Sequence, residues 1–310
     1  MRIVVTGANG LVGSRLCLLL AQRGHRVTGC SRGPRRGSAQ AGVNEGFEYR
    51  SCELSHEGEV RELFAMTQPE VIIHCASMTD VDGCERDPLA AYASNVQSAA
   101  HVSVHARPLH AHVVSVSTDY VFDGAAGPYS EEALPNPRGV YSTTKHMGEQ
   151  AVRTLAQSWA IARTAVVYGW PPAGRPNFGS WLVATLAQNQ QVRLFEDQFV
   201  SPSLAVNVAE MLAELAERRL TGVWNICGAT VANRVKFGEL LCEIFGFDTR
   251  LIIATHLRDA KLAAPRPPNA GLKTDKAQQE LAHQPLPLRT AIQRFHAEWL
   301  KENQAVPKRA

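Results

Sequence analysis

The sequence predicts an α/β fold, a doubly wound parallel sheet followed by a smaller C-terminal domain interleaved with it. Three observations predict it. Short, almost wholly apolar β-branched runs alternate with helical patterns through the first 169 residues, as strands buried on both faces and joined by crossover helices require. A glycine-rich turn joins the first strand to the first helix. A Pro- and Gly-rich stretch at residues 170–177 (WPPAGRPN) then ends the alternation, and shorter elements follow.

Taken in order, residues 2–6 (RIVVT) form a strand, and residues 14–23, leucine-rich and closed by Gly24, the helix after the turn. Residues 25–30 give a second strand, 47–53 a third, 60–66 a helix and 71–75 (VIIHC) a fourth strand. Residues 88–106 read as one helix opened by Pro88, 112–117 as the fifth strand, 141–159 as a helix and 162–168 as the sixth strand. Beyond the break, residues 205–219 form an amphipathic helix and 222–227 a further strand. The expected division is residues 1–169 for the first domain, with 205–230 returning to it, and residues 170–204 and 231–310 for the smaller one. That second part carries another Pro-rich stretch at 264–268 and a polar tail from Lys301.

With 310 residues, 45% of them hydrophobic, the chain can bury sizeable cores, which excludes a disordered or fibrous protein. Its longest apolar run, residues 16–21, is far too short to span a bilayer, and the N-terminus lacks a secretory pattern. No membrane partner is expected, and a cytoplasmic location is. Seven scattered cysteines without a Cys-x-x-Cys pair fit a reducing compartment; Cys84 is expected to be an inert thiol. His101, His105, His110 and His112 crowd together, but lack a His-Glu-x-x-His spacing and a third ligand, so no metal is expected.

The net charge of +3 is unevenly spread. Residues 1–44 hold seven arginines and no acid, a local +7 that leaves −4 for the other 266 residues. Neither a wholly basic face nor a reader motif is evident, which argues against nucleic acid and for a small phosphate-bearing ligand at the N-terminus.

Gly7-x-x-Gly10-x-x-Gly13 follows a strand and opens a helix, the context of a Rossmann dinucleotide fingerprint: glycines allow close backbone approach, and the helix start offers free N–H groups to a pyrophosphate. A purely structural turn is the alternative. At the end of the second strand, where an NAD site places an acid, the chain has Ser31 and Arg32, then Arg35 and Arg36, with no acid before Glu45. The expected cofactor is therefore NADPH, with Arg32 as the main contact to its 2′-phosphate and Ser31 assisting; NADH is the second candidate, and a solvated arginine loop the structural alternative.

Tyr141 and Lys145, at i and i+4 near a helix start, share one face. They follow the fifth strand and its extension SVSTDY (residues 115–120), where ligands of parallel sheets bind beyond the strand C-termini.

Residues 6–13 (TGANGLVG), 117–124 (STDYVFDG), Tyr141 and Lys145 with Gly148 and Glu149, and 163–169 (RTAVVYG) resemble an extended short-chain dehydrogenase/reductase, and more narrowly the dTDP-4-dehydrorhamnose reductase family. Asp197-Gln198, Ser201-Pro202-Ser203 and residues 266–270 (RPPNA) echo that family's substrate domain, so the resemblance spans nearly the whole chain.

The resemblance implies reduction of a keto group on a nucleotide-linked deoxysugar, with Tyr141 as proton donor, Lys145 lowering the phenol pKa and binding the nicotinamide ribose, and Thr118 holding the carbonyl oxygen. It implies cofactor contacts at Gly7, Asn9, Gly10, Leu11, Val12, Gly13, Ser31, Arg32, Glu53, Leu54, Cys75 and Ala76. It implies substrate contacts at Thr118, Asp119, Asn177, Arg266 and Asn269. Asp119 has a buried capping role as its alternative, Asn95 reads as a structural amide, and Arg266 and Asn269 stand equally well as parts of a proline-turned loop.

Two departures bear on the substrate. Rhamnose-pathway reductases carry Trp where this chain has Val166, and Ser where it has Ala270, which removes a flat aromatic face and a hydrogen bond. The regulatory β subunit of methionine adenosyltransferase, similar to the same family, shares the aliphatic residue and the Ala, so a non-catalytic NADP-binding subunit is an alternative. An epimerase or dehydratase of the superfamily is another. A sugar nucleotide is the expected partner, and a homodimer a candidate assembly.

Overall fold

The computed structural model describes residues 1–36, 46–171 and 176–305, with side chains as far as Lys301. Residues 172–175, the middle of the expected irregular stretch, lie outside the described residues, as does Glu45.

The chain opens with β1 (Arg2–Thr6), α1 (Leu11–Gln22), β2 (Arg26–Ser31), β3 (Glu48–Ser51), α2 (Glu57–Thr67) and β4 (Val71–His74). α3 (Val81–Arg86) and α4 (Pro88–Tyr92) follow, and a π turn at Ala93–Gln97 leads into α5 (Ser98–Ala106). Then come β5 (His112–Thr118), α6 (Val140–Leu155) and β6 (Ser158–Thr164). The expected single helix over 88–106 is thus interrupted. The π turn brings the backbone of Asn95 against Gly148 of α6, where an added Cβ would lie 2.5 Å from the Asn95 carbonyl oxygen. The helix expected to reach residue 159 stops at Leu155, because Ala156 is extended and Ser158 already pairs with His112 of β5.

β7 (Val167–Tyr168), α7 (Phe178–Leu186), β8 (Val192–Phe195), β9 (Phe199–Val200), β10 (Ser203–Leu204), α8 (Ala205–Glu217) and β11 (Gly222–Asn225) come next. β12 (Ala232–Asn233), α9 (Arg234–Phe245), β13 (Ile252–Thr255), α10 (Asp275–Glu280) and α11 (Leu288–Ala305) complete the chain. α11 runs through Lys301, so the stretch expected as a polar tail begins as helix.

Seven strands form one parallel sheet in the order β11-β6-β5-β4-β1-β2-β3. Strand side chains alternate between faces. Ile3, Val5, Val71, Ile73 and Val114 pack with Leu16 and Leu20 of α1 and Val208 and Leu212 of α8 on one side. Val4, Ile72, Val113 and Ile161 pack with Phe64 of α2, Val102 of α5 and Val152 of α6 on the other. Residues 205–225 therefore return to the first sheet. A separate apolar core joins Leu182, Leu194, Phe237, Leu241, Ile292 and Phe295 of the later elements. The sheet order reverses between β1 and β4, which opens a crevice beyond their C-terminal ends, where the glycine turn sits.

Candidate active site

The glycine turn is closed on itself. Gly7 has φ +69°, and a Cβ there would lie 2.8 Å from the Ala76 nitrogen; a Cβ on Gly13 would lie 2.3 Å from the Gly7 carbonyl oxygen. Only glycine fits either position. Helix α1 starts at Leu11 behind Gly10 with no side-chain cap, so the amides of its first turn, including Leu11 and Val12, remain available to an anion. Gly13→Ala is expected to cost about 1–3 kcal/mol through the overpacked turn. A lower melting temperature and weaker NADPH binding in a fluorescence titration would both register it.

Asn9 ties this turn to the loop after β2. Its amide nitrogen donates to the Pro34 carbonyl and the Tyr49 hydroxyl, each at 3.0 Å, and its side-chain oxygen accepts from the Arg36 N–H at 2.8 Å. Ser31 Oγ accepts from the Asn9 backbone N–H at 3.0 Å. Arg32 projects into solvent, its side chain 74% exposed and 3.8 Å from the Glu53 carboxylate, while the Arg35 guanidinium lies over the Phe47 ring. Leu54 is buried below, its carbonyl bonded to His101, and the Ala76 N–H donates to Thr6 Oγ1 beside Gly7. Burial pushes the neighbouring Cys75 thiol up to about 12 and Cys84 to about 11, which keeps both protonated.

The remaining site forms where β5 meets α6. Gly139, at φ +88°, precedes α6, and Glu85 of α3 accepts the Val140 N–H at 2.6 Å, capping the helix from outside. Tyr141 and Lys145 then face the end of β5, both buried. Lys145 Nζ donates to the Val116 carbonyl at 2.9 Å; burial lowers its pKa to about 8, against the pull of Glu149. The Thr118 hydroxyl lies beside Tyr141, donates to Asp119 Oδ1 at 2.9 Å and accepts from the Tyr120 N–H at 3.2 Å.

The expected lowering of the Tyr141 pKa by Lys145 is corrected by this geometry. Burial raises the phenol pKa well above its ordinary value, Asp119, Tyr120 and Cys84 add to the rise, and Thr118 only partly opposes it. Tyr141 is therefore protonated at neutral pH. Burial also pushes Asp119 up to about 7, and its Oδ2 has no partner.

What positions this face of α6 is Glu149, for which sequence reasoning assigned no role. It accepts from Ser117 Oγ at 2.6 Å and from Arg163 Nε and Nη2 at 3.0 and 2.8 Å, binding α6 to both β5 and β6. Asn95 proves to be the structural amide expected: it bonds both backbone groups of Met78 and the Thr144 hydroxyl.

Three expected substrate contacts have other work. Asn177 caps α7, and its amide group is consumed by Gly169 and Ser180. Arg266 forms an ion pair with Asp82 at 2.8 Å and donates to the Ala264 carbonyl. Asn269 braces its own loop through Gly127 and Gly271. Val166, in place of an aromatic, holds φ +37°, a strained conformation for a β-branched residue. The four clustered histidines face four separate partners, Leu54, Glu57, Gln157 and Ser158.

Two further residues were assigned no role from sequence, Gln198, which carries only the resemblance of its segment, and Arg234, which carries no signal. Gln198 donates to the Tyr120 hydroxyl at 3.1 Å, and Arg234 donates to Gln198 from the first turn of α9.

The sequence profile described as RmlD substrate binding domain matches residues 1–300. The chain is similar to the probable low-salt glycan biosynthesis reductase of Haloferax volcanii, with 34% identity over 286 residues, 91% of this chain and 92% of that protein. It is similar to the β subunit of methionine adenosyltransferase 2 of Mus musculus, with 28% identity over 301 residues, 94% and 86% of the two chains. Among solved structures it resembles the dTDP-4-dehydrorhamnose reductase of Bacillus anthracis in complex with NADP, at a TM-score of 0.81 and 24% identity, covering 96% of this chain and 99% of that one, a likeness of fold.

Proposed function

The chain belongs to the RmlD substrate binding domain family, and on that premise we propose that it is an NADPH-dependent reductase of a keto group on a nucleotide-linked deoxysugar, with Tyr141 as proton donor. The activity is that of an NAD(P)H-dependent oxidoreductase of the extended short-chain dehydrogenase/reductase type. The observation that carries the finer reading is a buried, protonated Tyr141 beside Thr118 at the C-terminal end of β5, with Lys145 one helical turn away.

The residues fit the cofactor. Gly7 and Gly13 let the turn close on its own backbone where a Cβ would clash, the uncapped start of α1 offers amides to a pyrophosphate, and exposed Arg32 offers a cation to a 2′-phosphate. When bound, NADPH supplies a hydride to a carbonyl carbon. Tyr141 gives its proton to the oxygen as negative charge grows there, and Thr118 can turn its hydroxyl from Asp119 to that oxygen. Lys145, charged below about pH 8, adds a buried cation that favours anionic states nearby.

The test is NADPH oxidation against a panel of 4-keto-6-deoxysugar nucleotides; no turnover with any of them would remove the reading. Arg32→Asp is expected to raise the KM for NADPH by about 10–100-fold, the loss of one charge-assisted contact, and to leave that for NADH little changed. Equal use of both cofactors by the unaltered protein would sink the NADPH assignment.

A regulatory reading is favoured by Val166 and Ala270 and by the likeness to the methionine adenosyltransferase β subunit. Under it the purified chain would capture a methionine adenosyltransferase catalytic subunit and reduce no ketone in the panel.

A further inference from the structure

We propose that Arg234 receives a diphosphate, and that it, rather than Arg266, is the principal anion contact for the nucleotide part of the substrate. The identity of the ligand rests on the sugar-nucleotide reading above; the site rests on geometry.

Arg234 stands at the start of α9, directly after its cap residue Asn233. Its guanidinium lies 4.4 Å above the Phe178 ring of α7, and its Nε donates to Gln198 Oε1 at 3.3 Å. Gln198 in turn donates to the Tyr120 hydroxyl at 3.1 Å, and the Tyr120 ring meets Tyr141 edge-on at 6.0 Å. A continuous line of contacts therefore runs from the proposed acid to this arginine. A ring and an amide hold it in place, and a ring stacked on a guanidinium fixes its plane.

Arg234 lacks a counter-ion. Nη1 is buried with no hydrogen-bond partner, and among the described residues no carboxylate lies within ion-pair distance. The contrast with its neighbours is direct: Arg163 meets Glu149 through two nitrogens, and Arg266 meets Asp82 at 2.8 Å. Burial lowers the Arg234 pKa, the fields of Tyr120 and Asp119 partly oppose that, and the charge of Arg266 adds to it. Asp119 is itself pushed up to about 7 by burial, so at neutral pH it compensates only in part.

A partly buried cation with an unpaired, buried N–H and no counter-ion is costly, and an anion that enters beside it relieves the cost. The planar fork of a guanidinium matches phosphate oxygens two at a time, and the N-terminal end of a twelve-residue helix adds partial positive charge. Two arginines that feel each other's field suit a ligand carrying two negative charges.

The experiment uses the full chain saturated with NADPH, so that the glycine turn does not take up the probes, and measures binding of thymidine diphosphate and of inorganic pyrophosphate by calorimetry. Arg234→Met is expected to weaken both by at least about tenfold, and Arg234→Lys by less. The ligand-free Arg234→Met protein is expected to melt at or above the temperature of the unaltered chain, because a charge with no counter-ion and a buried, unpaired Nη1 is gone. A lower melting temperature with probe affinity unchanged would identify a merely structural arginine and overturn the proposal. Unchanged thymidine diphosphate binding in Arg234→Met overturns it too, and leaves the reductase reading standing. Pyrophosphate binding that depends on Arg234, without thymidine diphosphate binding, supports the anion site and counts against the nucleotide reading. Binding of neither probe by the unaltered protein overturns the proposal.

Discussion

Tyr141→Phe is expected to lower the rate of ketone reduction by about 10²–10⁴-fold, the usual contribution of a positioned acid, with the dissociation constant for NADPH nearly unchanged. The substitution removes one hydroxyl from a buried ring and keeps the edge-on contact with Tyr120. It also leaves the Thr118 hydroxyl bonded to Asp119 and to the Tyr120 N–H, so the strand end keeps its shape. Because burial keeps the phenol protonated, its proton is available across the neutral range. Two groups titrate in that range, Asp119, pushed up by burial to about 7, and Lys145, lowered by burial to about 8, and only the second loses a positive charge. Reduction is therefore expected to fall as pH rises through about 8 and Lys145 loses its charge. Stopped-flow NADPH oxidation across pH 6–10 checks both points, and a Tyr141→Phe protein with unchanged turnover would remove the acid.

The second large effect is on stability. Glu149→Ala leaves Arg163 as an uncompensated charge at 1% exposure, between β6 and α6, and is expected to cost about 3–5 kcal/mol. Burial alone would push the Glu149 carboxyl up, but the hydrogen bonds from Arg163 and Ser117, the Arg163 charge and the nearby His146 ring outweigh it and hold the pKa at about 2. The folded value lies below the unfolded value of about 4.3, so this stabilisation is fully present above the unfolded pKa. It is lost as pH falls through the folded one. The window is therefore roughly pH 4.5 down to 2, and the size about 3 kcal/mol from the linkage relation. Urea unfolding of the unaltered protein and of Glu149→Gln across that window tests it, since the variant should lack this component of acid sensitivity. A double variant, Glu149→Gln with Arg163→Met, should recover much of what Glu149→Ala loses, because it removes both charges.

The two predictions meet in one element. Glu149 lies on the helix that carries Tyr141 and Lys145, two turns beyond the phenol, and its ion pair fixes that helix against β5 and β6. A variant that keeps the fold but loosens this contact should lose turnover before it loses cofactor, since Gly7 and Gly13 stand on a different strand and helix.

Much of the scaffold was legible because its signals are local. Strand β1 is found where the RIVVT run stands, and strands β2 to β5 within a few residues of expectation. The glycine turn was legible because a tight strand-to-helix connection has few backbone solutions, and these glycines satisfy one of them. Element ends were less legible where tertiary contacts set them. The long helix at 88–106 is widened at Asn95 by the approach of Gly148, and the helix after Tyr141 ends early because β6 begins pairing at Ser158.

Within the site, the motif pair Tyr141 and Lys145 and the nearby Thr118 are brought together as expected, since four residues of helix and a strand end place them almost by themselves. The polar residues of the C-terminal elements behaved differently. Asn177, Arg266 and Asn269 have side chains suited to phosphates and sugars, yet a helix cap, an aspartate 184 residues away in sequence and a loop carbonyl occupy them. Arg234, with no surrounding motif, is held by Gln198 and the Phe178 ring, yet its Nη1 is unpaired and no carboxylate among the described residues meets it.

The sequence by itself determined the fold class, the place and backbone shape of the glycine turn, and the Tyr141–Lys145 face, because each depends on backbone conformation or on spacing within a few residues. Only the tertiary structure decided which polar groups are already spent and which remain free. That depends on contacts between segments such as Asp82 and Arg266, or Ser117, Glu149 and Arg163, which no local pattern encodes. It also reversed the expected direction of the Tyr141 pKa, since removal from water, with Asp119, Tyr120 and Cys84 nearby, raises it.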